Sequence, residues 1–453
     1  MPYPRFRISM TIPEVLRSVF DAFGTGDNLA PVVFARALKS FGGYNNIVMT
    51  GSGRAGFRLL LESLNLPPGS EIIFPAYTFH IMPVVAAECG LKPVFADVDP
   101  ETWNIDPEKI IPLINKNTRV IMPTHLFGVP ADMEKIGQIA WNNNLLLFED
   151  CAHALGALDG DGPVGNKGDA ALFTFAMSKN MPCWGGGAIV VRDGELAERM
   201  LGRIDTREVP SARSILRRQI SNIPGIILTQ RGIFPWTLYP VIRLADLKGS
   251  NYFDRPFIEE VRGPEGSNQL SVISNQFLKD SNQLLEDGNQ LAVSSEQYAF
   301  DADPGSRITG ATAAGKNRIT GISPFQATVG LRQLKRFPGW LNKQVRNARL
   351  LRGLLKDCPG IQLQQEPEGT SSSFLYVRAR VDDPPAVRRR LLRAGIDTKP
   401  DDMRNCAALK IFGSQISCPV AEKLGGHCIE LPCSHFYFKP QIDQIADRII
   451  DAL

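Results

Sequence analysis

The fold is decided by two stretches, LLLFEDCAH at residues 145–153 and ALFTFAMSKN at residues 171–180. Each begins with a continuous apolar run and ends in charged or polar side chains. Strands that are covered by helices on both faces have this composition. Further apolar runs alternate with helix-like stretches at 71–76, 94–98, 120–123 and 188–191. The sequence therefore predicts an α/β fold with a mainly parallel mixed sheet, whose strand carboxyl ends form the ligand site.

The chain length of 453 residues is that of two domains. We expect a large domain at residues 1–335, with an atypical arm and a low-complexity insertion at about 203–318. A smaller α+β domain is expected at residues 336–453. Its elements are a strand-like run at 373–381 and helical patterns at 326–355, 385–394 and 440–453.

The charge balance indicates no nucleic-acid partner, since 50 Lys and Arg face 47 Asp and Glu for a net charge of +3. The first residues hold Arg5 and Arg7 but no apolar stretch followed by a cleavage site, so we expect a cytoplasmic protein. Eight dispersed cysteines fit a reducing compartment. Six side chains near the C-terminus lack zinc-ligand spacing and are expected to be core residues, with no metal bound. They are Cys406, Cys418, His427, Cys428, Cys433 and His435.

Two segments lack the alternation of apolar runs and helix-like stretches that predicts the sheet. Residues 223–244 are mostly apolar, but Arg231, Arg243 and three prolines argue against a membrane-spanning helix. A buried arm or interface hairpin is the favoured interpretation, with weak contact to a membrane surface as the alternative. Residues 268–290 repeat Asn-Gln every seven residues among Ser, Gly and Asp. A surface insertion is favoured there over a coiled-coil seam.

The first chemical motif is GSGRAG at residues 51–56, which opens a helical run. A glycine loop at a helix start exposes N–H groups at the positive end of the helix dipole, which suits a phosphate. The same letters match the NAD fingerprint G-x-G-x-x-G. That fingerprint expects a carboxylate at the end of the next strand, where this sequence has Pro75-Ala76-Tyr77. A plain helix-capping turn is an equally good interpretation of the loop alone.

The second motif is the acidic end of the 145–150 run. Pyridoxal 5'-phosphate (PLP) requires a carboxylate against its pyridine nitrogen, because the protonated ring is the electron sink of its chemistry. Asp150 lies at the strand end that such a role needs. An acidic strand end is more often a helix N-cap, so both interpretations stay open for this position alone.

The third motif is Lys179, just beyond the 171–175 run and followed by Gly185, Gly186 and Gly187. A partly desolvated lysine can keep a neutral amine for attack on a carbonyl. Thr174, five residues earlier, has a hydroxyl that can bind a phosphate. For a single lysine, an ordinary surface position is the commoner outcome.

Taken together, these motifs resemble the DegT/DnrJ/StrS-type sugar aminotransferases, a branch of the fold-type I PLP enzymes. The matching stretches keep their order and spacing over residues 40–202 and 323–453. The set is therefore more specific than any single stretch. They are Ser52-Gly53-x-Ala55, PAYTF (75–79), KPVFADVD (92–99), HLFG (125–128), PADM (130–133), EDCA (149–152), Lys179-Asn180, Gln326-Ala327, PVAEKL (419–424) and Leu431-Pro432.

The resemblance implies a role for each matching residue. Lys179 forms the Schiff base with PLP and, once released, carries the proton between cofactor and substrate carbon. Asp150 pairs with the pyridine nitrogen, His153 contacts the phenolic oxygen, and Phe79 stacks on the ring. The phosphate is held by Gly53, Arg54, Ala55 and Thr174.

The resemblance also implies an activity. Members of the family pass an amino group, typically from glutamate, to a keto sugar attached to a nucleotide, and they work as homodimers with active sites at the subunit interface. Related sugar dehydratases replace the lysine with histidine, so Lys179 favours amino transfer. A PLP-binding member that has lost turnover and serves in binding or assembly is the alternative, and an NAD-dependent sugar oxidoreductase is a third.

Three departures from the family pattern concern substrate and subunit contacts. Arg54 stands where many members have Thr. The turn after the lysine usually reads Gly-Glu-Gly-Gly but here begins with Trp184. The family's Asn-x-Arg-Met-Ser segment, which reaches the partner's cofactor, corresponds here to Ile319-Thr-Gly-Ile-Ser323 and keeps only the serine.

Overall fold

A computed structural model describes residues 1–4, 8–22, 27–160, 162–205, 209–220, 222–230, 232–247, 319–399, 401–413 and 416–453. The expectations for Arg5, Arg7, Arg231 and the Asn-Gln repeat at 268–290 concern residues outside these ranges.

A seven-stranded sheet forms the core of the large domain. Its strands and the short strands beside it are β1 Asn46–Thr50, β2 Glu71–Pro75, β3 Tyr77–Thr78, β4 Lys92–Ala96, β5 Thr118–Ile121, β6 Leu146–Asp150, β7 Leu158–Asp159, β8 Gly162–Pro163, β9 Ala170–Thr174 and β10 Gly187–Val191. The order is β1-β10-β9-β6-β5-β2-β4. From β9 to β4 all neighbours are parallel, whereas β10 is antiparallel to both of its neighbours. The six predicted apolar runs are confirmed as strands within two residues, and β1 is an addition.

Helices cover both faces of this sheet, as its continuous apolar strands require. The helices of the described residues, including those of the C-terminal part, are α1 Ile12–Asp21, α2 Ala30–Gly42, α3 Gly53–Leu64, α4 Ile81–Glu88, α5 Pro107–Ile110, α6 Met133–Asn142, α7 Gly194–Arg203, α8 Ala212–Gln219, α9 Asn222–Leu228, α10 Leu238–Leu247, α11 Pro324–Leu355, α12 Pro384–Arg393, α13 Pro419–Leu424 and α14 Lys439–Ala452. Phe57 and Leu60 of α3 pack on one face of the sheet. Phe34 of α2 and Phe337 of α11 pack on the other.

The C-terminal part of the chain has its own antiparallel sheet. Its strands are β11 Gln362–Leu363, β13 Val377–Arg380 and β15 Cys428–Leu431, with short strands β12 Thr370–Ser371 and β14 Arg404–Asn405 outside it. Leu351, Leu391 and Ile445 of three helices cover it. The helices predicted for this part are confirmed, and the predicted strand at 373–381 is shorter. Since α11 runs unbroken from 324 to 355, the proposed boundary near 336 lies inside a helix.

The apolar segment at 223–244 folds into short helices rather than a hairpin. Ile226 of α9 packs in the cluster around α1, and Ile242 of α10 packs with Phe234 against Leu392 of α12. The favoured expectation of a buried arm is therefore right for part of its side chains. Among the helices that the described residues form, none combines the length and the apolar character needed to cross a bilayer.

A buried ionic cluster lies within the small sheet. Arg378 of β13 faces Glu430 of β15 across the strand pair. Its Nη2 lies 2.7 Å from Glu430 Oε1 and 2.8 Å from Asp402 Oδ1, and its Nη1 lies 3.3 Å from Asp401 Oδ1. Lys399 Nζ lies 2.6 Å from Asp402 Oδ2. Two cations thus face three carboxylates in a largely buried site, in which Asp402 is the most exposed member, and unpaired charges are costly in such a site.

The same cluster joins the two sheets. The Tyr77 hydroxyl donates to Asp401 Oδ2 at 2.8 Å. Strand β14, which begins three residues after Asp401, pairs with β3, the strand that contains Tyr77. The Arg378 guanidinium lies 4.1 Å from the centre of the Phe127 ring, a favourable cation–π arrangement. Tyr77 and Phe127 belong to the large domain, so the cluster fixes the position of the small sheet against it.

Replacing Arg378 with Met should lower the free energy of unfolding by about 3–5 kcal/mol, because removing one partner of a buried ion pair leaves carboxylates uncompensated. Urea denaturation measures the change. Arg380→Met is the matched control, since Arg380 lies on the same strand and pairs with the exposed Asp382. Its cost should stay below about 1 kcal/mol. Equal costs for the two variants would contradict the role given to the cluster.

The cluster should also make stability depend on pH. Burial, and then the neighbouring Asp402 charge, raise the pKa of Asp401 to about 6 although Arg378 opposes the shift. A carboxyl with a raised pKa contributes stability below its ordinary pKa and loses it as the pH rises through the higher one. Relative to Asp401→Asn, the wild-type protein should therefore lose up to about 3 kcal/mol between about pH 4 and pH 6. Urea unfolding at several pH values, with Asp382→Asn as control, tests this, and parallel curves for all three proteins would refute it.

Candidate functional site

Strand β6 ends in two carboxylates that have different surroundings. Glu149 Oε1 accepts hydrogen bonds from the N–H groups of Lys167 and Gly168, at 2.8 and 2.6 Å. Its Oε2 accepts from Gly165 N–H at 2.8 Å and from His125 Nε2 at 3.1 Å. Burial alone would raise the pKa of Glu149, but the hydrogen bonds from His125 and the backbone lower it below the ordinary value. Glu149 is therefore a buried anion that fixes the loop before β9.

Asp150 is the residue of this pair that faces other functional side chains. It is buried at the end of β6, and its Oδ1 accepts from Ala152 N–H at 3.0 Å. Burial raises the pKa of Asp150, although the Ala152 hydrogen bond and the charge of Lys179 both lower it. Among the described residues no side chain donates to its carboxylate within hydrogen-bond distance. A cationic group placed there would gain from a buried negative charge.

Lys179 lies in the turn that follows β9. Its N–H donates to Ala176 O at 3.0 Å, and its side chain lines a cleft together with Asn180, Tyr376 and Pro432. Its charge is close enough to affect the pKa of Asp150. The carboxyl ends of the neighbouring parallel strands β6 and β9 thus bring the predicted lysine and aspartate together, as parallel α/β sheets do for their ligand sites.

His153 completes this group. Its Nδ1 accepts from Phe127 N–H at 3.2 Å, and its ring stacks on the Phe127 ring at 5.7 Å between centroids and 13° between planes. Burial, and then the charge of Lys179, lower the pKa of His153 well below its ordinary value. The ring is therefore neutral, and because Nδ1 accepts, the proton is on Nε2. His153 presents a hydrogen-bond donor rather than a cation.

The glycine loop meets the ends of β9 and β10. Ser52 Oγ accepts from Ala55 N–H at 3.2 Å and caps α3, so the Ala55 N–H is used within the helix. A side chain at Gly53 would lie 3.1 Å from Thr174 Cβ and 3.4 Å from Thr174 Oγ1. The first turn of α3 and the Thr174 hydroxyl therefore lie close together and form one small cradle, in which a side chain at Gly53 would be tightly packed.

Arg54 and Phe79 both lie near His80. Burial, and then the charges of Arg404 and Arg54, lower the pKa of His80 to about 4, which places both arginines near that ring. The Phe79 and His80 rings lie 5.1 Å apart. Thr78, just before Phe79, contacts Thr124 at 3.4 Å between hydroxyl oxygens.

The altered turn at residues 184–187 is buried. Trp184 is 1% exposed and has φ 59°, and Gly185 and Gly186 both have φ 100°. Gln326 Nε2 donates to Trp184 O at 3.0 Å. Three left-handed residues in a row explain why glycine follows the tryptophan, and the packing shows that Trp184 faces the core of this chain.

The segment that departs from the family's cross-subunit motif is also buried against its own chain. Gly51 N–H donates to Thr320 O at 2.9 Å, and Asp205 N–H donates to Ile319 O at 2.9 Å. Ile319 and Ile322 are 7% and 3% exposed. This segment therefore covers the glycine loop from within the chain.

Several residues near the site were given no role in the sequence analysis. Asn180, next to Lys179, donates to Ser373 Oγ at 3.3 Å and accepts from Gln344 Nε2 at 3.0 Å, which ties the lysine turn to the small domain. Asp402 lies close enough to His153 to affect its pKa. Pairs of opposite charge in facing strands, Arg378 and Glu430, were the signal that could have revealed the cluster.

His125, Glu149 and Cys151 are the one group of potential metal ligands that the described residues bring within 4.8 Å of one another. Both nitrogens of His125 are used, because Nδ1 accepts from Ala131 N–H at 3.0 Å while Nε2 contacts Glu149. Burial raises the pKa of Cys151 well above its ordinary value, so its thiol stays protonated. Their chemistry is that of a hydrogen-bond network. The C-terminal thiols are buried in the core, at Cys406, Cys418, Cys428 and Cys433.

Known proteins resemble this chain in sequence and in fold. A "Pleiotropic regulatory protein" of Geobacillus stearothermophilus is 36% identical over 198 residues, 42% of this chain and 51% of that protein. GDP-perosamine synthase of Caulobacter vibrioides is 36% identical over 169 residues, 37% of this chain and 46% of that enzyme. The aminotransferase TlmJ of Streptoalloteichus hindustanus has the same fold, with a TM-score of 0.69 and 19% identity over 100% of this chain and 99% of that one.

The matches to curated relatives span about half the length of those proteins. The family match is longer, covering residues 11–213 and 297–450, and it includes every residue assigned to the site. This chain belongs to the DegT/DnrJ/EryC1/StrS aminotransferase family.

Proposed function

We propose that this chain is a PLP-dependent aminotransferase that transfers an amino group from glutamate to a keto sugar linked to a nucleotide. The convergence of Asp150, His153 and Lys179 at neighbouring strand ends supports the activity, because these groups suit three parts of one small ring. The name of GDP-perosamine synthase, a relative, supports a nucleotide-linked substrate. We also propose that the protein is cytoplasmic and forms a homodimer, as the resemblance implies.

The donor set fits PLP. The buried Asp150 carboxylate, which accepts from Ala152 N–H, suits a protonated pyridine nitrogen, and the neutral His153 suits the phenolic oxygen as a donor at Nε2. The cradle beside Gly53, where a Cβ would lie 3.4 Å from Thr174 Oγ1, suits a phosphate at the N-terminus of α3. Phe79, which the resemblance places against the cofactor ring, is half-buried.

Each side chain then has a defined task. PLP supplies an aldehyde and an electron sink when it is bound. Lys179 binds it through Nζ and, after release, moves the proton at the substrate carbon. Asp150 keeps a proton on the pyridine nitrogen, and Thr174 with the N–H groups of Gly53 and Arg54 orients the phosphate.

Sodium borohydride reduction of the purified protein, followed by peptide mapping, tests the lysine assignment. We expect the cofactor to become fixed on the peptide containing Lys179, and Lys179→Ala to lose both the labelling and about a thousandfold or more of the transamination rate. Lys167→Ala is the control, because Lys167 lies nearby but pairs with Asp159 at 2.9 Å on the surface. Labelling of a different lysine, or full activity in Lys179→Ala, would overturn the assignment.

Substitutions of the two carboxylates of β6 should have different effects, one on the rate of catalysis and the other on the stability of the fold. Asp150→Asn keeps the shape but removes the anion that faces the cofactor, so we expect a loss of about 100-fold or more in rate with little change in unfolding. Glu149→Gln replaces one acceptor oxygen with an NH2 group that faces two of the four present donors, and it should cost about 3 kcal/mol of stability. Transamination assays and urea denaturation of both variants measure the split. The reverse pattern would exchange the roles of the two residues.

The relative named as a regulatory protein favours a second candidate, a PLP-binding protein without turnover. Addition of glutamate to the PLP-loaded protein distinguishes the two candidates by absorbance. Conversion of the cofactor to its amino form, absent in Lys179→Ala, supports the aminotransferase. A stable spectrum with glutamate and with other amino donors supports the binding role.

A further inference from the structure

The segment of the chain that ends in α10 has an unusual composition. Residues 209–247 contain five arginines and a single acidic residue, Asp246, among many apolar side chains. Asp246 is itself turned toward α12, where it lies 3.8 Å from Arg389 Nε. This part of the chain is therefore both basic and apolar, although the net charge of the whole protein is only +3.

Helix α10 is apolar on its outer side as well as its inner side. Its inner side is fixed, because Ile242 packs on Leu392 and the Tyr239 hydroxyl donates to Leu392 O at 2.9 Å. The outer side carries Val241, Leu244 and Leu247, which are 51%, 58% and 67% exposed. Residues three apart lie on one side of a helix, so these side chains form a continuous stripe. A helix at a protein–water boundary has polar residues in these positions.

Trp236 extends the stripe at the start of α10. It belongs to the short 3₁₀ helix Phe234–Trp236 and is 79% exposed, while its neighbour Phe234 is buried. Isolated exposed apolar residues are common on protein surfaces, but four in one patch mark a surface that is covered in use. We name Trp236, Val241, Leu244 and Leu247 the apolar stripe.

Arginines border the apolar stripe. Helix α12, which packs against α10, exposes Arg389, Arg390 and Arg393. Arg393 is one turn from Arg389, which contacts Asp246 of α10, so it lies at the same edge. Within the residues that the structure describes, Arg390 and Arg393 form no ion pair.

We propose that the apolar stripe and its arginines form a surface that docks the protein onto a membrane containing anionic phospholipid. Leucine, valine and tryptophan side chains enter the boundary between headgroups and acyl chains, and arginines bind the headgroup phosphates, as in helices that lie in the plane of a bilayer. A tryptophan at the edge of such a stripe suits this boundary, because its ring is apolar and its N–H is polar.

A second copy of the chain fits this surface less well. Most interfaces between identical subunits are two-fold symmetric, so each patch meets itself. Arg390 and Arg393 would then face the same charges on the partner, without acidic residues of the stripe to offset them. An anionic bilayer supplies the opposite charge over the whole patch.

Vesicle co-sedimentation of the full chain tests the proposal. We expect binding to vesicles of equal parts phosphatidylglycerol and phosphatidylcholine, and little binding to phosphatidylcholine alone. The double variant Trp236→Ser/Leu244→Ser should weaken binding by about tenfold or more. Trp141→Ser is the matched control, because Trp141 is 85% exposed on α6 of the large domain, and it should bind like wild type.

The electrostatic part is tested by Arg390→Glu/Arg393→Glu, for which we expect a loss of at least about 25-fold, roughly fivefold for each arginine removed. Lys343→Glu/Arg346→Glu, exposed residues with the same spacing on α11, is the control and should lose far less. Added salt should weaken wild-type binding. Transamination and melting temperature should stay unchanged in all four variants, because these exposed residues do not touch the site.

Three results would overturn the proposal. The first is equal binding by the stripe variants and their controls, and the second is equal binding to vesicles with and without phosphatidylglycerol. The third is a change of oligomeric state in Trp236→Ser/Leu244→Ser, by light scattering, without any loss of vesicle binding. That outcome would assign the stripe to a contact between copies of the chain. None of the three bears on the transferase activity, so the docking surface and the proposed function stand or fall separately.

Discussion

The hydrogen bonding of Glu149 is the constraint on which the site depends. A carboxylate buried at the end of a central strand is costly unless its oxygens are satisfied, and here three N–H groups and His125 satisfy them. These contacts fix the loop at 165–168 that leads into β9, and β9 in turn leads to Lys179. Because successive side chains of a strand point to opposite sides, fixing Glu149 on one side fixes Asp150 on the other.

The small domain then closes the site from the opposite direction. The Arg378 cluster holds Asp402 near His153, and the Tyr77 hydroxyl connects the same cluster to the strand before Phe79. Burial and the charge of Lys179 keep His153 neutral, and its Nδ1 is occupied by Phe127 N–H. A histidine with a fixed tautomer can act as a donor at one defined atom, which a mobile or charged ring would not do. The ion cluster therefore has a stabilising effect and also supports the geometry of the site.

The sequence predicted the strands of the large sheet because strands covered on both faces are apolar throughout, and this pattern is local. It missed β1, whose burial depends on antiparallel pairing with β10. Asp150 and Lys179 could be placed from their strand ends, whereas Glu149 beside Asp150 gave no sign of its different surroundings. The Arg378 cluster escaped prediction for a similar reason. Its members come from segments far apart in the chain, and each charged residue by itself indicates a surface position.

The departures from the family pattern are connected in the structure. Trp184 packs in one cluster with Phe325, and Gln326 donates to the Trp184 carbonyl. A Cβ at Gly186 would lie 2.9 Å from Ile322, so the altered turn and the altered segment at 319–323 are in contact. Trp184 is buried in the same cluster as Phe325, while Ile322 lies against Gly186 of the same turn. The two changes therefore form one packing unit that covers the glycine loop from inside the chain. In physical terms they constitute one change, and the chemical residues at 150, 153 and 179 lie outside it.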